Sequence, residues 1–176
     1  MSKVVDDMIR GAGGTPPVDR SQRVLTDGSP VSEDHRDLKP NGQQKGYVVL
    51  SDEQRARGFV RPVRRSYVHV GKPAPTNLRD LTDDEQRRYA QYGYVKYEEY
   101  PPGRSAVCGR FWTQPELDAL GKHCGAVTTM SPAIAETYAR DPQFYGGTFC
   151  CGCGAHFPVG ETGEFVWEGT DERVGT

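Results

Sequence analysis

Residues 150–156 read Cys-Cys-Gly-Cys-Gly-Ala-His, and His123-Cys124-Gly125 stands upstream of them. Together these two stretches hold four of the five cysteines and two of the four histidines of the chain. Cys150 and Cys153 have CxxC spacing, which sets two thiolates on one side of a tight turn where one divalent ion can take both. A tetrahedral ion then needs two more N or S donors, and Cys124 and His156 are the nearest in sequence. The pattern Cys124, Cys150, Cys153, His156 predicts a structural Zn2+ site. Vicinal Cys150-Cys151 leaves the register open, so Cys151 stands as an alternative to Cys150, and His123 or His69 as alternatives to His156. Gly152 and Gly154 supply the backbone freedom that a sulfur-binding turn requires.

Catalytic readings of the same residues fail on spacing. A zinc deaminase needs His or Cys followed two positions later by Glu, and then PCxxC; here Cys124 is followed by Gly and Ala, and Phe149 precedes Cys150. No HExxH is present. A redox CxxC opens a helix, whereas Gly-Ala-His-Phe-Pro follows Cys153. Four protein donors leave a metal no open position, so the expectation is not an enzyme.

The chain has 176 residues, 35% of them apolar and 26% charged. That allows one lean domain, of the kind a metal often staples. The formal net charge of −2 exerts no general pull on a polyanion or a membrane surface. No apolar run approaches the roughly 20 residues of a membrane span. The first residues lack an apolar stretch with a cleavage site, and the odd cysteine count favours reduced thiols, so a cytosolic setting is expected.

All seventeen aromatic residues lie from Tyr47 onward. Residues 1–46 have none, and balance seven basic against seven acidic side chains. Such a segment is predicted to be a flexible N-terminal arm over 1–45, with a short helix at Val4–Ile9. The expected α+β domain spans 46–176. It opens with a strand at 46–50 and a helix capped by Ser51. Thr82-Asp-Asp-Glu85, Thr113-Gln-Pro-Glu116 and Ser131-Pro132 announce three more helices. Strands are expected over the second half of 59–70, in the Tyr-rich run 92–100, and at 147–150 and 164–167, the last two flanking the CxxC turn as in zinc ribbons.

The blocks RGFVRPVRRSYVHVG, CGAVTTM, AETYARDPQFYGGTFC and HFPVGETGEFVWEGTDERVG resemble small proteins of tailed phages and prophages that carry a zinc-ribbon-like tail. The resemblance covers about half of the chain and implies a phage origin, acting in the host cytoplasm or the virion. It implies Cys124, Cys150, Cys153 and His156 as ligands, and it makes 73–122 an insertion. It supplies no activity.

Two surfaces compete for a binding role. Arg55 to Lys72 holds six basic residues and no acidic one, so Arg61, Arg64 and Arg65 with interleaved aromatics are candidates for DNA or RNA phosphates. The tyrosines at 89, 92, 94, 97 and 100 suit packing or a protein interface. A protein-interaction module, either a virion component or an inhibitor of a host protein, is the expected function, and nucleic-acid association is its alternative.

Overall fold

The computed structural model describes residues 14–99 and 109–176; Val4–Ile9 and Tyr100 lie outside them. The described residues form an α+β domain. In chain order the elements are β1 (Arg23–Leu25), β2 (Val48–Leu50), α1 (Asp52–Arg55), β3 (Ser66–His69), β4 (Leu78–Asp80), α2 (Asp83–Tyr89), a 3-10 turn at Ala90–Tyr92 and β5 (Tyr94–Glu98). They continue with β6 (Arg110–Thr113), α3 (Gln114–Asp118), β7 (Val127–Thr129), α4 (Pro132–Arg140), β8 (Gly147–Cys150), β9 (Ala155–Pro158) and β10 (Phe165–Trp167). No helix among the described residues is long and apolar enough to cross a membrane.

The centre is an antiparallel sheet in the order β10-β3-β7. Alternation along β3 turns Tyr67 and His69 inward, and both are buried. Tyr67 meets Phe165 edge-on at 5.3 Å, and Tyr138 of α4 meets Trp167 edge-on at 5.6 Å. Met130, Ala135, Cys150 and Val174 complete this core. Contrary to the expectation for the knuckle, β10 is not its second strand. The partner of β8 is β9, joined by the CxxC turn, whereas β10 pairs with β3.

The 73–122 region carries its own sheet, β4-β5-β6. Thr82 and Thr113 each close a reciprocal capping box with Glu85 and Glu116. Tyr89, Tyr94 and Tyr97 gather around Phe111 at 4.8–5.4 Å between ring centroids. The tyrosine cluster is thus chiefly the small core of this unit, with Tyr92 left exposed.

Residues 14–45 do not form an arm apart from the domain. β1 pairs antiparallel with β2, Ser51 N–H donates to the Gln22 carbonyl at 2.8 Å, and Thr26 N–H to that of Tyr47 at 3.0 Å. The anchors are polar, which is why a search for aromatic residues overlooks them. Arg140, at the end of α4, is 1% exposed. Its guanidinium donates to the carbonyls of Gln54, Pro16 and Pro17. Arg20 forms a two-pronged pair with Asp141 at 2.7 and 3.0 Å. Gln54 is also buried, and its side chain takes the Asp19 N–H and donates to Gln22. The segment therefore docks through hydrogen bonds to buried groups, each costly to leave unmet.

Replacing Arg140 by Leu removes the donor to the Pro16 and Pro17 carbonyls and one of those to the Gln54 carbonyl, which keeps the Arg57 N–H, and should cost about 2–4 kcal/mol. In limited trypsin digestion the wild type should resist cleavage at Arg20 and Arg23, and Arg140→Leu should open both sites. Equal cleavage of the two proteins would show that Arg140 does not hold this segment.

Candidate metal centre

Three separate parts of the chain deliver the cluster. β3 ends at His69. The loop into β7 supplies Cys124, because the two segments run antiparallel: Gly125 N–H donates to the His69 carbonyl at 3.0 Å, and His69 N–H to that of Ala126 at 3.2 Å. The β8–β9 hairpin supplies Cys150 and Cys153. One donor atom from each of His69, Cys124, Cys150 and Cys153 lies within 4.8 Å of every other. Cys124 Sγ stands 3.5 Å from His69 Nδ1 and 3.4 Å from Cys150 Sγ, and Cys153 Sγ stands 3.6 Å from His69 Nδ1. These four residues could hold a metal ion.

Of the four expected ligands, the structure gathers Cys124, Cys150 and Cys153 and leaves out His156. The pleat of the hairpin is the reason. Phe149 pairs with His156, and Cys150 with Ala155, so His156 shares a face with Phe149 and points away from the Cys150 thiol. Its Nε2 is instead 3.0 Å from the Tyr47 hydroxyl. Tyr47 also accepts the Gln44 N–H at 3.3 Å. Burial holds the His156 imidazole below its ordinary range. His69 takes the vacated role. The strand alternation that buries Tyr67 and His69 was its signal in the sequence, along with its place in the block RRSYVHV.

Cys151 is settled by the same geometry. Its N–H donates to Thr128 Oγ1 at 3.0 Å and its thiol to the Val127 carbonyl at 3.3 Å, so it clips the turn to β7 from outside the cluster. His123 comes near, with Nδ1 3.7 Å from Cys153 Sγ, but that nitrogen already accepts the Cys124 N–H at 2.9 Å. The His123 ring instead stacks on His69, 3.6 Å between centroids.

The surroundings orient His69. It is fully buried, with Phe157 and Phe165 rings at 4.4 and 4.6 Å. Its Nε2 has no hydrogen bond among the described residues, and Glu164 Oε1 stands 3.5 Å from it. Nδ1 faces the sulfurs and Nε2 faces this buried carboxyl group, the side on which histidine ligands generally meet an outer partner. His69, His123 and Glu164 also lie within 4.8 Å of one another. Two rings stacked 3.6 Å apart cannot both direct an in-plane lone pair at one ion, so this trio is not a second centre.

The thiols are electrostatically unequal. Desolvation pushes Cys124 up, but N–H donation from Ala126 and contacts with His123, Cys150 and Cys153 outweigh it and bring it down to about 6. Desolvation and the neighbouring Cys124 and Cys150 sulfurs push Cys153 up to about 12. A cluster in which one thiol ionises readily and the next resists is one that a cation relieves. Space is also reserved. A Cβ on Gly152 would lie 2.6 Å from the Ala126 Cβ and 3.3 Å from Cys124 Sγ.

Arg61, Arg64 and Arg65 lie elsewhere, and each is engaged. Arg61 donates to the Thr176 carbonyl at 3.1 Å, Arg64 pairs with Glu172, and Arg65 donates to the Met130 carbonyl at 3.1 Å. No family model, curated protein or solved structure matches this chain.

Substituting His69 by Ala should abolish stoichiometric metal retention, while His156→Ala and Cys151→Ser should leave it intact. Metal content of the purified variants by mass spectrometry checks this, and loss of metal in His156→Ala alone would reverse the assignment. Gly152→Ala should cost about 1–3 kcal/mol by forcing the turn off the sulfurs, measured as a lowered thermal transition.

Proposed function

We propose that this chain is a structural-zinc protein that works by binding a protein partner rather than by catalysis. The observation that carries the reading is the donor set: three thiols and His69 Nδ1 converging from three chain segments. Tetrahedral zinc with Zn–S of about 2.3 Å and Zn–N of about 2.0–2.1 Å requires S···S of about 3.8 Å and N···S of about 3.5 Å. The spacings of 3.4 Å between sulfurs and of 3.5 and 3.6 Å from nitrogen to sulfur are close to that demand. Thiolates with one imidazole suit zinc over the hard, oxygen-seeking cations. Four protein donors fill a tetrahedral shell and leave no position for substrate, which supports a structural role.

Protein binding is favoured by the Arg55–Lys72 stretch itself. Its three candidate arginines already have internal partners, whereas Phe59, Val60 and Val63 are 43–50% exposed. An outward apolar strip with engaged cations suits a protein surface better than a polyanion. With the resemblance to tailed-phage proteins, this supports a virion component or an inhibitor of a host protein. DNA or RNA binding through Arg61, Arg64 and Arg65 is the second reading, and those internal pairs weigh against it.

The purified chain should carry one zinc, and a chelator should unfold it, since structural zinc contributes about 10–16 kcal/mol of apparent binding energy in small modules. A metal-free chain with an unchanged thermal transition would overturn the zinc reading. In capture from infected-host lysate, Phe59→Asp/Val63→Asp should lose a protein that the wild type retains at high salt, with zinc content unchanged. A partner captured equally by both would overturn this choice of surface.

A further inference from the structure

A cleft of about 580 Å³ opens between the N-terminal segment and the start of β8. Its lining includes Arg20, Arg23, Arg36, Tyr47, Phe144 and His156, and no carboxylate. The fork of Arg20 is taken by Asp141. Arg23 and Arg36 are exposed, and neither side chain has a hydrogen bond or ion pair among the described residues. This contrasts with Arg61, Arg64 and Arg65. In a chain of net charge −2, two free guanidinium groups facing one concavity concentrate positive potential there.

The walls add a second chemistry. Tyr47 is held by its hydrogen bond to His156, and Phe144 packs edge-on against Tyr145 at 4.8 Å between centroids. Both rings are only part-buried and line the cleft. Gly146 and Gly147 also line the cleft, and a Cβ on Gly146 would meet nothing within 4 Å, though one on Gly147 would lie 3.0 Å from the Phe157 carbonyl oxygen, so a flat ligand has room to approach the backbone at Gly146. Arginine forks match phosphate oxygens two at a time, and fixed aromatic faces take planar rings. The volume falls within the range of small-molecule sites.

We propose that this cleft binds a nucleotide, with its phosphate on Arg23 and Arg36 and its base against Tyr47 and Phe144. The nucleotide can be free or the end of a single strand, since both present the same phosphate and base. This site is independent of the zinc reading.

Calorimetric titration of the intact, zinc-loaded chain with AMP, GMP, inorganic phosphate, adenosine and a single-stranded octanucleotide tests it. A nucleotide should bind at least about tenfold more tightly than phosphate or nucleoside alone, because each half supplies part of the energy. Arg23→Ala/Arg36→Ala should remove that binding, Phe144→Leu should weaken it about tenfold, and the remote Arg87→Ala should not change it. If the double variant shifts the thermal transition, Arg36→Ala alone decides, since Arg36 is exposed and lies outside every strand and helix. Binding of mononucleotides identifies the free ligand, and binding of the octamer alone identifies a strand end. Phosphate binding as tightly as nucleotide, double-variant binding equal to wild type, or no binding by any probe would overturn the proposal.

Discussion

The convergence of His69, Cys124, Cys150 and Cys153 is the constraint on which the rest of the arrangement depends. Each donor ends or turns an element, so the cluster fixes three registers together. His69 closes β3, Cys124 enters β7 opposite it, and Cys150 and Cys153 frame the β8–β9 turn. Three sulfurs and an imidazole packed this closely, with Cys124 drawn down to about 6 and Cys153 pushed up to about 12, make a site that could hold a metal ion. The lean apolar composition agrees with that dependence: the buried cluster around Tyr67 and Phe165 includes Cys150 itself, so the core and the candidate donor cluster share a residue.

Dependence on the knuckle extends into the N-terminal segment. A Cβ on Gly42, where φ is +85°, would lie 1.8 Å from the Gly154 carbonyl oxygen, so the 39–44 turn rests directly on the backbone of the CxxC turn. Tyr47 then reaches His156 on the outer face of the same hairpin. The hairpin therefore presents two faces with two duties. Its Cys150 side builds the donor cluster, and its Phe149–His156 side receives the N-terminal segment and forms one wall of the cationic cleft.

Most of the elements were legible in the sequence because their signals are local. Thr82, Thr113 and Ser131 accept the N–H bonds their capping patterns promise, and CxxC spacing brought Cys150 and Cys153 together. What local signals miss is pairing at long range. His156 is nearest to the thiols along the chain, but a one-residue change of pleat turns it away, and His69, 55 residues before Cys124, arrives through the β3–β7 ladder. The hairpin partner β9 was hidden for a similar reason: Ala155–Pro158 is short, and its burial is only partial. The strand at Phe165–Trp167 carries a clear local signal, but its partner is β3 and not the hairpin.

The N-terminal segment shows why absence of aromatic residues did not mean absence of structure. Low apolar content argues against a segment building its own core, and residues 14–45 build none. They satisfy instead the polar groups that the domain buries: Gln54 accepts from Asp19, Arg140 finds the Pro16 and Pro17 carbonyls, and Asp141 receives Arg20. Without that segment, the buried Gln54 would lose both of its side-chain partners and the 1%-exposed Arg140 two of its three carbonyls, and each buried polar group left unmet costs about 1–3 kcal/mol. The domain needs the segment as much as the segment needs the domain. That mutual need places Arg23 and Arg36 along the rim of the cleft, and so makes a charge-balanced, aromatic-free stretch the source of the molecule's free positive charge there.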